Sequence, residues 1–254
     1  MNTGSSPIDK SPERIRRMFG TIAHRYDLIN NLLTLGIDRL WRTLTAQKLL
    51  NKQTIEGETL DVCCGTGELT LAFLKRQKKL NIERTHYGID FSPEMIDIAH
   101  KKAARWKGQS HSLHFSLADA LDLPFDDNRF AIVSVAFGLR NVCNTQLGLS
   151  EMVRVCKPGG TVAVLDFSMP TMPIVRHCYQ FYFHTLLPRL GQWFAKNQDQ
   201  AYHYLPESVL QFDRPDQLAE RLTRLGVIDI QKKSMTCGIA TLIWGRQATH
   251  PTNL

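Results

Sequence analysis

The segment Leu60-Asp61-Val62-Cys63-Cys64-Gly65-Thr66-Gly67 limits the fold more than any other part of the chain. Residues 59–64 form a short apolar run with a β-branched centre. A strand with one wet face alternates polar and apolar residues, so a continuous apolar run reads as a strand buried on both faces, as in a parallel sheet. Gly-Thr-Gly then ends the strand in a tight turn, because glycine lets the backbone double back and lets a ligand come close. Residues 68–79 follow with helical character, apolar at Leu69, Leu71, Ala72, Phe73 and Leu74.

The same unit repeats. Strands are expected at 87–91, about 113–117, 131–137 and 161–167, with closing strands at 227–232 and 239–244. Helices are expected between them. Ser92 is placed to cap one that starts at Pro93 and runs to about residue 106. Another covers about 145–156 and stops at Lys157-Pro158-Gly159-Gly160, and a last one covers 215–225. This alternation specifies an α/β fold, a doubly wound parallel sheet. Ahead of it, Ile15, Met18, Phe19 and Ile22, then Leu32, Leu33, Leu40, Leu44 and Leu49, recur at helical spacing, with Gly36 as the expected break. Residues 1–12 read as a flexible tail and 13–254 as one domain. Within it, 13–52 form N-terminal helices and 170–212 an inserted helical cap, rich in aromatic and histidine side chains from His177 to His184 and again at Tyr202-His203-Tyr204.

Composition excludes several classes of function. No window approaches the ~18 uninterrupted apolar residues that span a bilayer, and residues 1–12 lack a secretory apolar core; a cytoplasmic protein is expected. The six cysteines include no C-x-x-C pair, so neither a metal site nor a redox dithiol is signalled, and buried reduced thiols are expected. The net charge is +7, with Lys10, Arg14, Arg16, Arg17 and Arg25 concentrated near the start. A solvated helix face, or one resting on anionic lipid, accounts for that cluster. No nucleic-acid-binding signature accompanies it, so no nucleic-acid partner is expected.

Ligands of an open α/β sheet bind beyond the carboxyl ends of the strands. A dinucleotide fold wants G-x-G-x-x-G, so that a pyrophosphate sits on the helix N-terminus. Here Thr70 holds the third glycine's place, and Glu68 stands where a phosphate would be repelled. The turn therefore favours a phosphate-free ligand. Asp90, at the end of the second strand, can accept hydrogen bonds from two ribose hydroxyls. Asp119 and the Ala120 amide, after the third strand, can read an adenine edge. Asp61 can hold an ammonium group directly or through water. A sulfonium nucleoside with an amino-acid tail, S-adenosylmethionine, satisfies all of these with the backbone of Gly65, Thr66 and Gly67. Each aspartate alone could equally be a cap or turn residue; three at successive strand ends favour the binding reading.

Longer motifs carry a family resemblance. Tyr26-Asp27-Leu28-Ile29-Asn30, Leu33 to Trp41, Phe137-Gly138-Leu139-Arg140-Asn141-Val142, Arg154 to Gly160 and Leu165-Asp166-Phe167-Ser168 together resemble the ubiquinone/menaquinone biosynthesis C-methyltransferase family over about residues 14–245. The chain departs from the family pattern at Ile29, Asp38, Ala136 and Asp166, positions where Met, His, in some relatives Ser, and Glu are usual.

The resemblance implies a class I methyltransferase fold and C-methylation of demethylmenaquinol, a prenylated naphthoquinol, to menaquinol. The polyprenyl benzoquinol of ubiquinone synthesis, or a non-catalytic quinone-binding assembly protein of the same fold, are the alternatives. It implies catalytic roles for Arg140 and Asn141, and for Tyr26 and Asp27 a part in closing the N-terminal helices over the cofactor. A guanidinium has a reference pKa above ~12, so neutralising one near pH 7 costs at least ~7 kcal/mol. The expected part for Arg140 is therefore to stabilise a phenolate and, with Asn141, to hold a water that takes the ring proton; simple pairing with a carboxylate is the competing reading. His184, Tyr202 and His203 are secondary candidates. A homodimer and a peripheral membrane contact, through the aromatic cap and the basic N-terminal face, complete the expectations.

Overall fold

The computed structural model describes residues 11–34, 36–106, 112–170, 208–209 and 211–249, with positions 172 and 177. Along the chain these form α1 (Pro12–Leu33), α2 (Ile37–Leu49), β1 (Glu58–Val62), α3 (Glu68–Leu80), β2 (His86–Asp90), α4 (Pro93–Ala103), β3 (Leu113–Leu117) and β4 (Phe130–Ala136). A 3-10 turn at Leu139–Asn141 leads to α5 (Thr145–Val155), β5 (Cys156–Phe167), α6 (Pro215–Arg224), β6 (Val227–Met235), a second 3-10 turn at Thr236–Gly238, and β7 (Ala240–Gln247).

The strands join in one sheet of order β3-β2-β1-β4-β5-β7-β6. β1 to β5 pair in parallel. The order reverses between β1 and β4, which opens a crevice beyond their carboxyl ends. The expectation of a parallel sheet fails at β7, which runs antiparallel to both β5 and β6. The reason is the link: a parallel return needs a crossover of a dozen residues or so, and only the short 3-10 turn lies between β6 and β7. β5 also starts before the expected residue 161. Cys156 pairs with Phe130 and Thr161 with Ile132, so Lys157-Pro158-Gly159-Gly160 bulges out of a strand already begun.

Both faces of the sheet are covered, as the apolar runs require. On β5, Val162 and Val164 pack with Leu149 and Met152 of α5 and Leu218 and Leu222 of α6. Ala163 and Leu165 face the other way, toward Trp41, Leu49, Leu69 and Phe73 of α2 and α3. Burying each large apolar side chain contributes about 1.5–3 kcal/mol. At the β3 edge, Ile96 and Ala99 of α4 pack with Leu71, Leu74 and Phe115. Ser92 caps α4, its Oγ accepting from Met95 N at 3.4 Å, and Asn144 caps α5 in the same way.

No described helix is long and apolar enough to cross a membrane. Most of the expected tail and cap lies outside the described residues, including His184, Tyr202 and His203. Tyr26 falls within α1, but its side chain is also outside the description.

Candidate functional site

The carboxyl ends of β1 and β4 meet at two unusual residues. Cys63 has φ 54° and Phe137 φ 63°, left-handed values that cost a side-chain-bearing residue on the order of 1–3 kcal/mol and persist only where the surroundings impose them. Phe137 is held from several sides. Its N–H donates to Leu165 O at 2.8 Å, and its ring packs against Trp41 and Phe167. The Arg42 guanidinium lies 5.0 Å over the ring. Next to it, a Cβ on Gly138 would stand 2.4 Å from Cys63 Cβ, so only glycine lets the two strand ends touch. Gly67 is similarly constrained, with φ +80° and the Phe115 ring 2.8 Å from where a Cβ would sit. Sequence reasoning passed over Cys63 and Phe137, because a positive φ on a non-glycine residue leaves no mark in composition or spacing.

A cleft of about 800 Å³ opens above this floor. Its polar wall brings together Gly65, Asp90, Asp119, Ala120 and Asn141, while Ile15 and Phe19 of α1 and Met95 of α4 supply apolar cover. Asp90 is buried and shapes the turn: one carboxylate oxygen accepts from Gly65 N at 2.9 Å, the other from Ser92 N at 3.0 Å. Each oxygen keeps a further lone pair for a ligand hydroxyl. Burial holds the Asp90 carboxyl above its ordinary value despite those bonds. Asp119 accepts from Leu121 N at 2.9 Å, which fixes the loop that presents Ala120.

A second cavity of about 480 Å³ borders the first, with Cys63, Gly65 and Ala136 lining both. It is lined by Asp27, Asp38, Asp61 and Glu68 together with Arg39 and Arg42. Asp61 is 1% exposed. Its Oδ2 accepts from Thr70 N at 3.1 Å and Thr70 Oγ1 at 2.8 Å, whereas Oδ1 is buried with no hydrogen-bond partner. Burial raises its carboxyl from 3.8 to about 7, against the pull of Thr70 and the Arg42 charge. Asp38, one of the four departures from the family pattern, pairs with Arg42 at 2.5 Å and accepts from Thr34 Oγ1 at 2.8 Å. The acid–base spacing of four along one helix could have signalled that pair.

The α1 helix is pinned over the turn by a cluster of charges. Thr66 Oγ1 donates to Asp27 at 2.6 Å. Lys102 of α4 reaches Asp27 at 2.5 Å, donates to Thr66 at 2.8 Å and pairs with Glu68. Thr66 thus uses its side chain to dock α1, which the sequence did not indicate.

Arg140 and Asn141, neighbours in the chain, are separated by the structure. Asn141 lines the cleft. Arg140 is 3% exposed and is not among the described residues that line it. Its Nη1 donates to Phe137 O at 2.6 Å and to Asp166 Oδ1 at 2.7 Å. A guanidinium so placed is not exposed to a ring in the cleft, and the carboxylate-pairing reading describes its position.

The cysteine expectation also needs correction. The described cysteines are free, but only Cys64 and Cys156 are buried and Cys63 half-buried, whereas Cys143 at the cleft rim and Cys237 in the last 3-10 turn are exposed. Both exposed residues sit in or after a tight 3-10 turn at the sheet end, away from the packed helix layers. Cys178 lies outside the described residues.

With this geometry in view, comparison with known proteins decides the class. The model of the ubiE/COQ5 methyltransferase family matches residues 8–247. The chain belongs to this family. It is 42% identical over 241 residues to the ubiquinone/menaquinone biosynthesis C-methyltransferase UbiE of Geobacter sp. (strain M21), covering 94% of this chain and 98% of that one. It is 35% identical over 234 residues to the demethylmenaquinone methyltransferase of Staphylococcus aureus (strain JH9), covering 92% of each. Among solved structures, a putative S-adenosyl-L-methionine-dependent methyltransferase from Methanococcus maripaludis superposes with TM-score 0.62 at 17% identity, covering 99% of both chains. The [4+2]-cyclase SpnF superposes with TM-score 0.64 at 18% identity, covering 96% of this chain and 98% of that one. Those two establish the fold alone. Membership of the family makes this chain a methyltransferase of the S-adenosylmethionine-dependent class, with the cleft at the reversal of strand order as its candidate active site.

Proposed function

We propose that the protein transfers the methyl group of S-adenosylmethionine to a ring carbon of demethylmenaquinol, giving menaquinol. The observation that carries the cofactor part is the pair of adjacent cavities that share Cys63, Gly65 and Ala136. The first, beside Asp90, Asp119 and Ala120, suits a ribose and an adenine. The second offers carboxylates and guanidinium groups to a zwitterionic amino-acid tail, and the unpartnered buried oxygen of Asp61 suits its ammonium. The pyrophosphate-binding third glycine is replaced by Thr70, and Glu68 lines the tail cavity, so the pair fits a nucleoside without phosphates. Gly65, Thr66 and Gly67 carry the turn that joins the two halves, and Tyr26 and Asp27 belong to the helix that closes over it.

S-adenosylmethionine, when bound, supplies an electrophilic methyl group on a sulfonium. What this chain adds is placement. Holding reactants in line can supply several kcal/mol of the barrier, up to roughly 7–11 in ideal cases. Asn141, at the cleft floor, is the residue we assign to the acceptor's hydroxyl or to a water that takes the ring proton. Ile15, Phe19 and Met95 keep bulk water from the sulfonium. The naphthoquinol reading is supported by the named activity of the Staphylococcus aureus relative, and the Geobacter relative's name keeps the benzoquinol as the second reading.

A prenylated acceptor resides in a bilayer. Arg16 and Arg17 are exposed on the same helix that turns Ile15 and Phe19 toward the cleft. A basic face beside the cleft supports a peripheral membrane contact, tested by flotation with anionic liposomes; no co-flotation with or without quinone would end that reading. The activity test is incubation with methyl-labelled S-adenosylmethionine and reduced demethylmenaquinone, or separately the benzoquinol. Label in the naphthoquinol is expected. Label only in the benzoquinol moves the assignment to the other branch, and label in neither overturns catalysis.

A further inference from the structure

The Arg140–Asp166 pair is expensive as built. Both side chains are almost wholly buried, at 4% and 3% exposure. Arg140 Nε and Asp166 Oδ2 each have no hydrogen-bond partner. A buried ion pair with an unsatisfied atom on each side is poor as a stabilising device, since well-packed hydrophobic residues in its place are often neutral or better. What the pair does achieve is geometric. Arg140 Nη1 grips Phe137 O at 2.6 Å while Asp166 Oδ1 holds the same nitrogen at 2.7 Å. Asp166 is itself set by its bond from Phe167 N at 2.8 Å, by its place in β5 opposite Thr241 of β7, and by neighbouring Phe167, whose ring covers the guanidinium at 5.1 Å. The carbonyl being gripped belongs to the strained residue that starts the turn. From there the backbone closes by Asn141 N donating to Gly138 O at 3.0 Å and Val142 N to Leu139 O at 3.1 Å. The product of this turn is the position of Asn141 in the cleft.

We propose that Arg140 and Asp166 act as one buried strut that fixes the Phe137–Asn141 turn, and so the aim of the Asn141 side chain, and that both are positioning residues rather than groups that touch the acceptor. The inference rests on the methyltransferase reading above for its kinetic consequence, but its structural consequence is independent of which acceptor is used. The strut also explains a bulky aromatic at φ 63°: the turn that aims Asn141 begins there, and the arginine secures it in place.

The test is the double variant Arg140→Leu/Asp166→Leu. It removes both charges together and so avoids leaving one buried and unpaired, the strongly destabilising outcome of a single replacement. Active protein is counted by S-adenosylmethionine binding stoichiometry. The expected result is full stoichiometry, an unchanged melting temperature or a higher one, kcat lower by roughly 10²-fold as for a misplacement of about 1 Å, a much smaller change in KM for the quinol, and an unchanged shape of the kcat–pH profile. Adding Asn141→Ala to the double variant is expected to lower kcat by less than about threefold more, because residues that act as a unit are non-additive. In the cofactor-bound protein, the ¹⁵N-labelled Asn141 side-chain amide signal should move in the double variant without any acceptor present. Three results overturn the proposal: turnover within about threefold of the unmodified protein, a full additive loss from Asn141→Ala in the double variant, or the disappearance of a limb of the pH profile, which would make the pair part of the proton path. An unmodified protein that methylates no quinol would instead defeat the function proposed above, while the amide signal would still decide the strut.

Discussion

Replacing Asp61 by asparagine should make the ligand-free protein more stable at alkaline pH and a poorer binder of its cofactor. Asp61 is buried, and its carboxyl is raised from 3.8 to about 7. Between those values the unfolded chain has released a proton that the folded chain keeps. The folded state therefore binds more protons, and stability falls as pH rises through this window. The interval from about pH 5.5 to about pH 7 lies wholly inside it, and above pH 7 the loss levels off. At about 1.4 kcal/mol per pH unit, Asp61 removes roughly 2 kcal/mol of stability between about pH 5.5 and about pH 8. Asp61→Asn retains an acceptor oxygen for Thr70 N and Oγ1 and places an uncharged amide nitrogen where Oδ1 has no partner. The variant carries no titration there. Its stability advantage over the unmodified protein should thus grow by roughly 2 kcal/mol across that range, seen as about 4–8 °C in melting temperature for a chain of this size. Differential scanning fluorimetry of both proteins without ligand, at the two pH values, reads the difference directly, and shared pH effects cancel. A difference that stays constant across pH, or shrinks, refutes the account of Asp61. With cofactor present the order should reverse, because the amide cannot pair with an ammonium.

Other consequences are as specific. Gly138→Ala forces a methyl group onto Cys63 Cβ, 2.4 Å away, and should destabilise by about 1–3 kcal/mol, measured by urea denaturation. Lys102→Met leaves Asp27 and Glu68 facing each other without their shared cation; loosening α1 should weaken S-adenosylmethionine binding by about tenfold, roughly 1.4 kcal/mol, in a calorimetric titration. Among the described cysteines, maleimide at about neutral pH should label exposed Cys143 and Cys237 quickly and Cys63 and Cys64 slowly, since burial pushes the last two thiols up; peptide mapping reads the order.

The sheet was legible because each strand of its parallel interior lies between helices and must be apolar throughout. Val62, Ile132 and Val164 report that burial directly. The strand-end aspartates stood out only as a set, at successive strand ends; that Asp90 would also hold Gly65 and Ser92, and Asp119 the amide of Leu121, was not legible. Arg140 sits in surroundings that its sequence neighbours did not reveal. It adjoins Asn141, yet its environment is set by Asp166, 26 residues away on the next strand, and burial is a property of the assembled sheet. The direction of β7 was not legible from its own residues, which would suit either direction, and depended on the shortness of the turn before it. Cys63 and Phe137 hold conformations that composition does not encode, because neighbours impose them.

β7 is the last of the described strands along the chain and yet lies inside the sheet, between β5 and β6. The cofactor side of the crevice, built from β1 to β4, is continuous in the chain and can assemble during synthesis, N-terminal parts first. Asp166 of β5 meets its cross-strand neighbour only after residue 241 has left the ribosome. A nascent chain, or one clipped before β7, would therefore hold the residues we assign to the sulfonium nucleoside without the finished mount that aims Asn141, which couples the onset of turnover to synthesis of β7.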